Sequence, residues 1–281
     1  MTIIFDGTLG ITSPGGDTSN TSHSTPIVKS PSSLVFQTNG STEAMRITAD
    51  GKVGIGETNL GNDKLVVTAA EARVKFLSST GTNGVWTQYT NTAGSFYVGR
   101  DNSSGTAFGT SYASYLYSEG AYPLVTWING LERMRIDSSG RVTMPYQSSF
   151  WAYLTASQTV SSGNQLIAFN ATSWDVGNNF NTSTNRFTAP VTGKYLFAAT
   201  VATGGGAATQ NYFGVQFYLN GTQYVVGGWN RQEATGYIVD SKTTLLSLNA
   251  GDYVTVIVES QNGFNVNYTT KGSFFTGYLI G

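Results

Sequence analysis

The apolar residues of this chain fall in short runs, and Gly, Asn or Ser separates one run from the next. No run keeps a helical period for the length of a helix, so the pattern predicts strands almost throughout. Residues 33–56, S-L-V-F-Q-T-N-G-S-T-E-A-M-R-I-T-A-D-G-K-V-G-I-G, predict a three-stranded meander with turns at Asn39-Gly40 and Asp50-Gly51, pairs that accept the positive φ of tight hairpins. Further strands are expected at 65–68, 74–77, 84–89, 95–99 and 113–117, with a turn or short helix at 69–75. Residues 186–197, R-F-T-A-P-V-T-G-K-Y-L-F, read as strand, turn and strand. There Phe187 makes the first apolar contact and Pro190 fixes φ and cannot donate to a ladder. Gly193 permits a tight turn ahead of Tyr195 and Phe197.

One pattern occurs twice. Glu43, Met45, Arg46, Ile47, Gly51 and Val53 match Glu132, Met134, Arg135, Ile136, Gly140 and Val142, each pair 89 residues apart. That interval is too long for a solenoid and predicts one β-module used twice. Met45, Ile47 and Val53 point inward in this reading, and Glu43 and Arg46 form a surface pair. By contrast, residues 13–26, S-P-G-G-D-T-S-N-T-S-H-S-T-P, have almost no apolar side chain to bury. They read either as a disordered tail or as an arm that orders against a partner.

Composition changes this picture in one respect. Charged residues make up 11% of the chain, against about a quarter in ordinary soluble domains. From Tyr146 onward the charges are Arg186, Lys194, Arg231, Lys242 and Lys271 against Asp175, Glu233, Asp240, Asp252 and Glu259, in a stretch rich in aromatic residues. A surface so poor in charge implies burial between subunits. The net charge of −1 and the lack of a basic cluster argue against nucleic acid. No stretch is long and apolar enough to span a membrane, so no membrane insertion is expected. Met1–Gly10 lacks the basic region of a secretory signal.

Catalytic chemistry finds little to use. There is no cysteine, and the single histidine, His23, lies in the polar arm. No histidine general base, triad or thiolate zinc site is therefore available on a folded region. The glycines of G-K-V-G-I-G (51–56) lack both the helix and the Lys-Ser/Thr of a phosphate loop. No catalytic residue, cofactor or metal is expected. The candidate contacts for a ligand are Trp229, Asn230, Arg231 and Tyr237, in the Gly-rich loop G-G-W-N-R-Q-E-A-T-G-Y. Aromatics flanked by amides and a guanidinium suit carbohydrate or protein recognition, and the same Trp229 suits a core or a subunit interface.

Residues 150–281 resemble the globular head of complement component 1q, related in fold to tumour necrosis factor. The motifs that carry this are F-W-A-Y-L-T-A-S (150–157), I-A-F-N (167–170), V-G-N-N-F-N (176–181), R-F-T-A-P-V-T-G-K-Y-L-F (186–197), L-N-G (219–221), L-N-A-G-D-Y-V-T-V (248–256) and F-F-T-G-Y-L-I-G (274–281), in family order. The resemblance implies a two-sheet jelly roll that assembles as a trimer and serves binding or structure. It marks Phe187, Pro190, Gly193, Tyr195, Phe197, Gly251, Asp252, Phe275 and Gly277 as structural positions. Asp252 is read as the cap of a turn into a strand. Some members bind calcium, and no oxygen cluster here marks such a site. The E-x-M-R-I-x-x-x-G-x-V module resembles a unit recurrent in bacteriophage tail-fibre and virion-appendage proteins.

The expected protein is all-β. An extended N-terminal arm (1–31) precedes a β-rich shaft or shoulder (32–145) and a jelly-roll head with roughly ten strands (146–281). It is expected to be a homotrimer on the exterior of a bacteriophage particle. The arm would hold other virion proteins, and the head would engage a host-surface glycan or protein, or decorate the particle. The alternative is a soluble lectin-like protein of a cell. Open edges of the short shaft strands would be covered by trimerisation.

Overall fold

The computed structural model describes residues 4–6, 10–12, 33–38, 42–106, 108–203, 211–225, 228, 230–232, 238–267 and 271–281. Among them there is no α-helix, and the chain is all-β. Two compact units result, one of residues 1–86 with 99–114, the other of 87–98 with 115–281.

In the first unit, Ile4–Asp6 pairs antiparallel with Gly10–Thr12. The rest of the expected arm, including the polar run 13–26, lies outside the described residues. The predicted meander forms from Leu34–Thr38, Thr42–Ile47 and Val53–Ile55. A fourth strand, Leu65–Val67, then joins Val53–Ile55 in parallel. The turn at Asn39-Gly40 is outside the described residues, while Gly51 takes φ +77°, as its Asp-Gly turn requires.

The second copy of the module lies in the second unit and repeats this geometry. Leu124–Ile128, Leu131–Ile136 and Val142–Thr143 make a three-stranded sheet. Its hairpin turns on Asn129 and Gly130, both at positive φ, the signature of a type I′ turn. The pairing skips Ala44 in the first copy and Arg133 in the second, so each central strand carries a bulge at the same place. In both copies a two-pronged Arg–Glu pair holds the strand across that bulge. Arg46 donates from Nε and Nη2 to Glu43 at 2.5 and 2.6 Å, and Arg135 donates to Glu132 at 2.7 and 2.5 Å. The arginines hold both carboxyls below the usual carboxylate range, mainly through these hydrogen bonds. The surface pairs are thus part of the repeat's architecture, re-closing the strand where an extra residue bows it out.

Between the copies, Val85–Asn91, Gly94–Arg100 and Ser114–Ser118 form a three-stranded sheet, as the alternation predicts. The expectation for 69–77 fails in part. A turn occurs at 70–71 and no helix follows, and residues 74–77 form no strand. Val74, Phe76 and Leu77 have strand-forming side chains, yet all three are exposed.

From Ser149 onward fourteen strands build two facing sheets and their short flanking pairs. One sheet has the order Ala171–Val176, Ser149–Tyr153, Phe274–Leu279, Gly193–Ala202, Val239–Leu248, all antiparallel. The other centres on Tyr253–Ser260, flanked by Arg186–Thr188 and Asn211–Leu219. Alternate residues of each strand face inward. Phe150, Phe187, Tyr195, Phe197, Phe217 and Phe275 meet there, each at most 1% exposed. Gly277 is buried because the core leaves it no side chain: a Cβ would lie 2.6 Å from the Phe197 ring and 2.7 Å from that of Phe150.

The stretch 186–197 forms strand, turn and strand, and its two strands lie in different sheets. Arg186–Thr188 belongs to one sheet and Gly193–Ala202 to the other, so exposed Pro190 marks a corner where the chain changes sheets. Gly193 is not required by a turn torsion. It opens its strand, and a Cβ there would stand 2.8 Å from Leu279 Cδ1 and 3.1 Å from the Gly281 carbonyl oxygen. The same close approach lets the Lys194 amide donate to the Gly281 carbonyl at 2.6 Å.

Candidate functional site

The inward residues of the five-stranded sheet fix what its other face presents. Because Phe150 and Ala152 point in, Trp151 and Tyr153 point out. Pairing then places Trp174 and Thr276 beside Trp151, and Phe274 beside Tyr153. The Trp151 ring lies 5.4 Å from Trp174, 5.9 Å from Phe274 and 6.2 Å from Tyr153. Lys271 closes this cluster with its Nζ 4.5 Å from the Tyr153 ring and 5.0 Å from that of Trp151, donating to Ser173 Oγ at 2.8 Å. Across the remaining strands the row of Trp151 continues through Thr276, Ala198 and Thr243, and a neighbouring row on the same face is Tyr278, Leu196 and Leu245, each opposite the next. Their exposures are 43%, 37% and 55%.

This face is also free of charge between Lys271 and Lys194. The head's other described charges are engaged elsewhere. Asp240 accepts from the Val215 amide at 2.7 Å and from Lys242 at 3.2 Å, tying one sheet to the other at the rim of the core. Asp175 caps the backbone of Asn179 and Phe180, Glu259 accepts from Gln216, and Arg186 lies 4.5 Å over the Tyr253 ring. The charge shortage in the sequence therefore falls on one aromatic face. The signal for it was present in F-W-A-Y (150–153): a strand apolar at every position in an antiparallel sheet is covered on both sides.

The expected ligand contacts do not come together as a described site. Trp229 and Tyr237 lie outside the described residues. Asn230 and Arg231 fall in a short strand, Asn230–Gln232, paired with Asn211–Leu219. The expected structural positions are placed more fully. Tyr195 is buried and donates its hydroxyl to the Val191 carbonyl at 2.7 Å, and burial pushes its phenol up. Gly251 takes φ +90° in the turn that Asp252 caps.

Asp252 accepts from Asn220 Nδ2 at 2.8 Å and from the Asn249 amide at 2.7 Å. These bonds, that of Asn220 first, lower its carboxyl below the usual range. A carboxylate with a depressed folded pKa stabilises above its unfolded value, near 3.9, and the contribution is lost as pH falls through the lowered one. The protection of the Asn249 amide, relative to its intrinsic exchange rate, is accordingly expected to fall below about pH 3.9, and to be already lost above that pH in Asp252→Ala. Amide exchange followed by NMR across acid pH reads both, and a native Asn249 protection factor that does not change with pH would rule out the cap.

A second concavity, an open groove of about 370 Å³, is lined by Tyr89, Phe96, Tyr122 and Glu119 among others. Its polar groups are already engaged within the hairpin. Asn91 Oδ1 accepts from the Ala93 amide at 2.9 Å, and Ser95 Oγ meets both Thr90 Oγ1 and Gln88 Nε2 at 3.0 Å. Among the described residues no group of three or more His, Cys, Asp or Glu is placed to hold a metal ion.

The C1q domain family matches residues 149–280, the segment that contains both facing sheets. Solved structures similar to the chain include the globular domain of zebrafish complement 1qA protein, at 17% identity and a TM-score of 0.38, covering 48% of this chain and 98% of that one. Murine APRIL at pH 8.5 gives 15% identity and 0.37, covering 48% and 99%, and Eiger TNF from S. frugiperda gives 13% and 0.38, covering 49% and 94%. No match occurs among curated protein sequences.

Proposed function

Residues 149–280 are a C1q domain, and from that premise we propose that the chain is a homotrimeric recognition protein assembled through the outer face of its five-stranded sheet. The observation that carries the reading is an uncharged outer face that carries the aromatic cluster of Trp174, Trp151 and Phe274 and the apolar row Tyr278, Leu196 and Leu245. A soluble monomer rarely leaves so large an apolar face in water. About a three-fold axis, one side of this face meets a different side of it on the next copy, and the ring closes at three. Light scattering on 146–281, which carries its own core, and on the full chain tests it. Three times the chain mass is expected for both, and a stable monomeric head would overturn the reading.

The role we assign to this trimer is that of a bacteriophage virion appendage. In it residues 1–31 attach, 32–145 form the shaft, and the head faces outward at the particle surface. The duplicated bulged module, used once near each end of the shaft, supports this reading. Three copies of a weak site on one head engage a host-surface glycan or protein with avidity. The loop of Trp229, Asn230, Arg231 and Tyr237 is the proposed contact. The C1q match equally suits a lectin-like protein that belongs to no particle. Mass spectrometry of purified particles separates the two: the chain is present in them under the first reading and consistently missing under the second.

A further inference from the structure

Apolar burial is divided unevenly along the chain. Among the described residues of 33–146, Leu60 is the one buried apolar side chain, and every other lies at Phe150 or beyond. The strands before the head nevertheless carry apolar side chains of core size, and they stand in the open. Leu65 is 62% exposed, Leu77 73%, Leu116 60%, Trp127 62% and Ile128 59%. Two- to four-stranded sheets without a covered face are marginal in water. Strand formation without a core calls for a covering surface beyond these described residues.

We infer that this surface is the same stretch of two further copies: residues 33–146 build their hydrophobic core between subunits and hold no stable fold in a single chain. Three observations select copies of this chain as the occupant. The connection into the head is short and fixed, because the Gln147 amide donates to the Met144 carbonyl at 3.0 Å and its side chain to the Leu279 carbonyl at 2.8 Å. Three heads joined through their Trp151 faces therefore hold three such stretches at high effective concentration. Most charges of the modules are paired within each chain, Glu43 with Arg46, Asp50 with Lys52, Glu132 with Arg135 and Asp137 with Arg141, and Arg133 stacks 4.5 Å over the Tyr146 ring. They leave one net positive charge, too little to select a charged partner. Finally, residues 74–77, V-K-F-L, have a strand-forming sequence and no strand to join. The sheet of Val85–Asn91, Gly94–Arg100 and Ser114–Ser118 has two outer strands open to pairing. The structure assigns 74–77 to an outer strand of a neighbouring copy, where Phe76 and Leu77 lose their exposure.

The inference rests on the trimeric head, and the test separates the two. Hydrogen exchange is measured by mass spectrometry on the full chain and on the full chain carrying Leu196→Arg, with mass determined alongside. In the native trimer, the amides of Thr42–Ile47 and Leu131–Ile136 are expected to be protected. In the monomeric variant the head stays protected, while these strands exchange roughly 100-fold faster or more. Equal protection in the monomer would overturn the inference and leave the trimer standing. So would free exchange of these strands in the native trimer. A native full chain of monomer mass would instead overturn the trimeric head itself. A second variant, Phe76→Pro, removes a ladder donor outside the head. It is expected to keep the trimer mass and to speed exchange at 74–77 and at one outer strand of the sheet. Unchanged exchange there would refute the strand pairing.

Discussion

Leu196→Arg is expected to reduce the protein from trimer to monomer without unfolding the head. Leu196 sits in the middle of the outer face, opposite Tyr278 on one side and Leu245 on the other. Its side chain points away from the core, since Tyr195 and Phe197 on either side are fully buried. In the isolated chain the guanidinium simply enters water. In the assembly three guanidinium groups would enter one apolar contact with no carboxylate on that face to meet them. Leaving a buried charge unpaired costs about 3–5 kcal/mol per site, and the cost is paid once per subunit. Light scattering at micromolar concentration should give the mass of one chain, and residues 146–281 carrying the same substitution should keep an unchanged far-UV spectrum. Leu196→Met, which keeps the volume and adds no charge, should stay trimeric. A trimer that survives the arginine would place the subunit contact elsewhere.

Phe150→Ala should have the opposite signature. Phe150 is fully buried, its ring 5.0 Å from Phe180 and from Phe187 in parallel stacks and 4.8 Å edge-on from Phe275. Removing it opens a cavity at the point where strands of both sheets meet, and such truncations cost about 3–5 kcal/mol. For a domain of this size the thermal midpoint of the head should fall by roughly 10 °C or more. Its mass below the transition should not change. The adjacent Trp151→Ala should weaken assembly while moving the midpoint of the monomeric head little, because its ring packs on the outer side. Calorimetry and light scattering on the two variants read both effects, and a Phe150→Ala head with an unaltered midpoint would contradict the packing.

What the sequence made legible follows from what periodicity encodes. The duplicated module was visible because its turn glycines and Arg–Glu pair recur at fixed spacing, and even the shared bulge is implied by that pair. The jelly roll was visible in the ordered motifs from 150 to 281. Sheet membership was not. Nothing in R-F-T-A-P-V-T-G-K-Y-L-F says that its two strands lie in different sheets, so strand, turn and strand is as far as the pattern reaches. Gly193 was read through the torsions glycine permits, whereas its position is set by Leu279 and Gly281, which are distant in sequence. The parallel addition of Leu65–Val67 is likewise a long-range pairing. Residues 74–77 differ for another reason: their side chains favour a strand, but a strand needs a partner, and among the described residues none pairs with them. The candidate face is less legible: Trp229 stands out in an irregular loop, whereas Trp151 and Tyr153 alternate with core residues in a regular strand and read as core.

The place of Phe274–Leu279 in its sheet bears on how the protein is made. It lies between Ser149–Tyr153 and Gly193–Ala202 and contacts both along their length, yet it is the last of the head's strands to leave the ribosome. Until it emerges, two hydrophobic strands have an open edge where their common neighbour belongs, and the outer face is split between them. Closure of the head, and with it any pairing of subunits, is therefore a late event that follows translation of this region. Nascent chains on one messenger cannot join prematurely through a face that has yet to be completed, and a ribosome stalled before residue 274 would release a chain prone to aggregate rather than assemble.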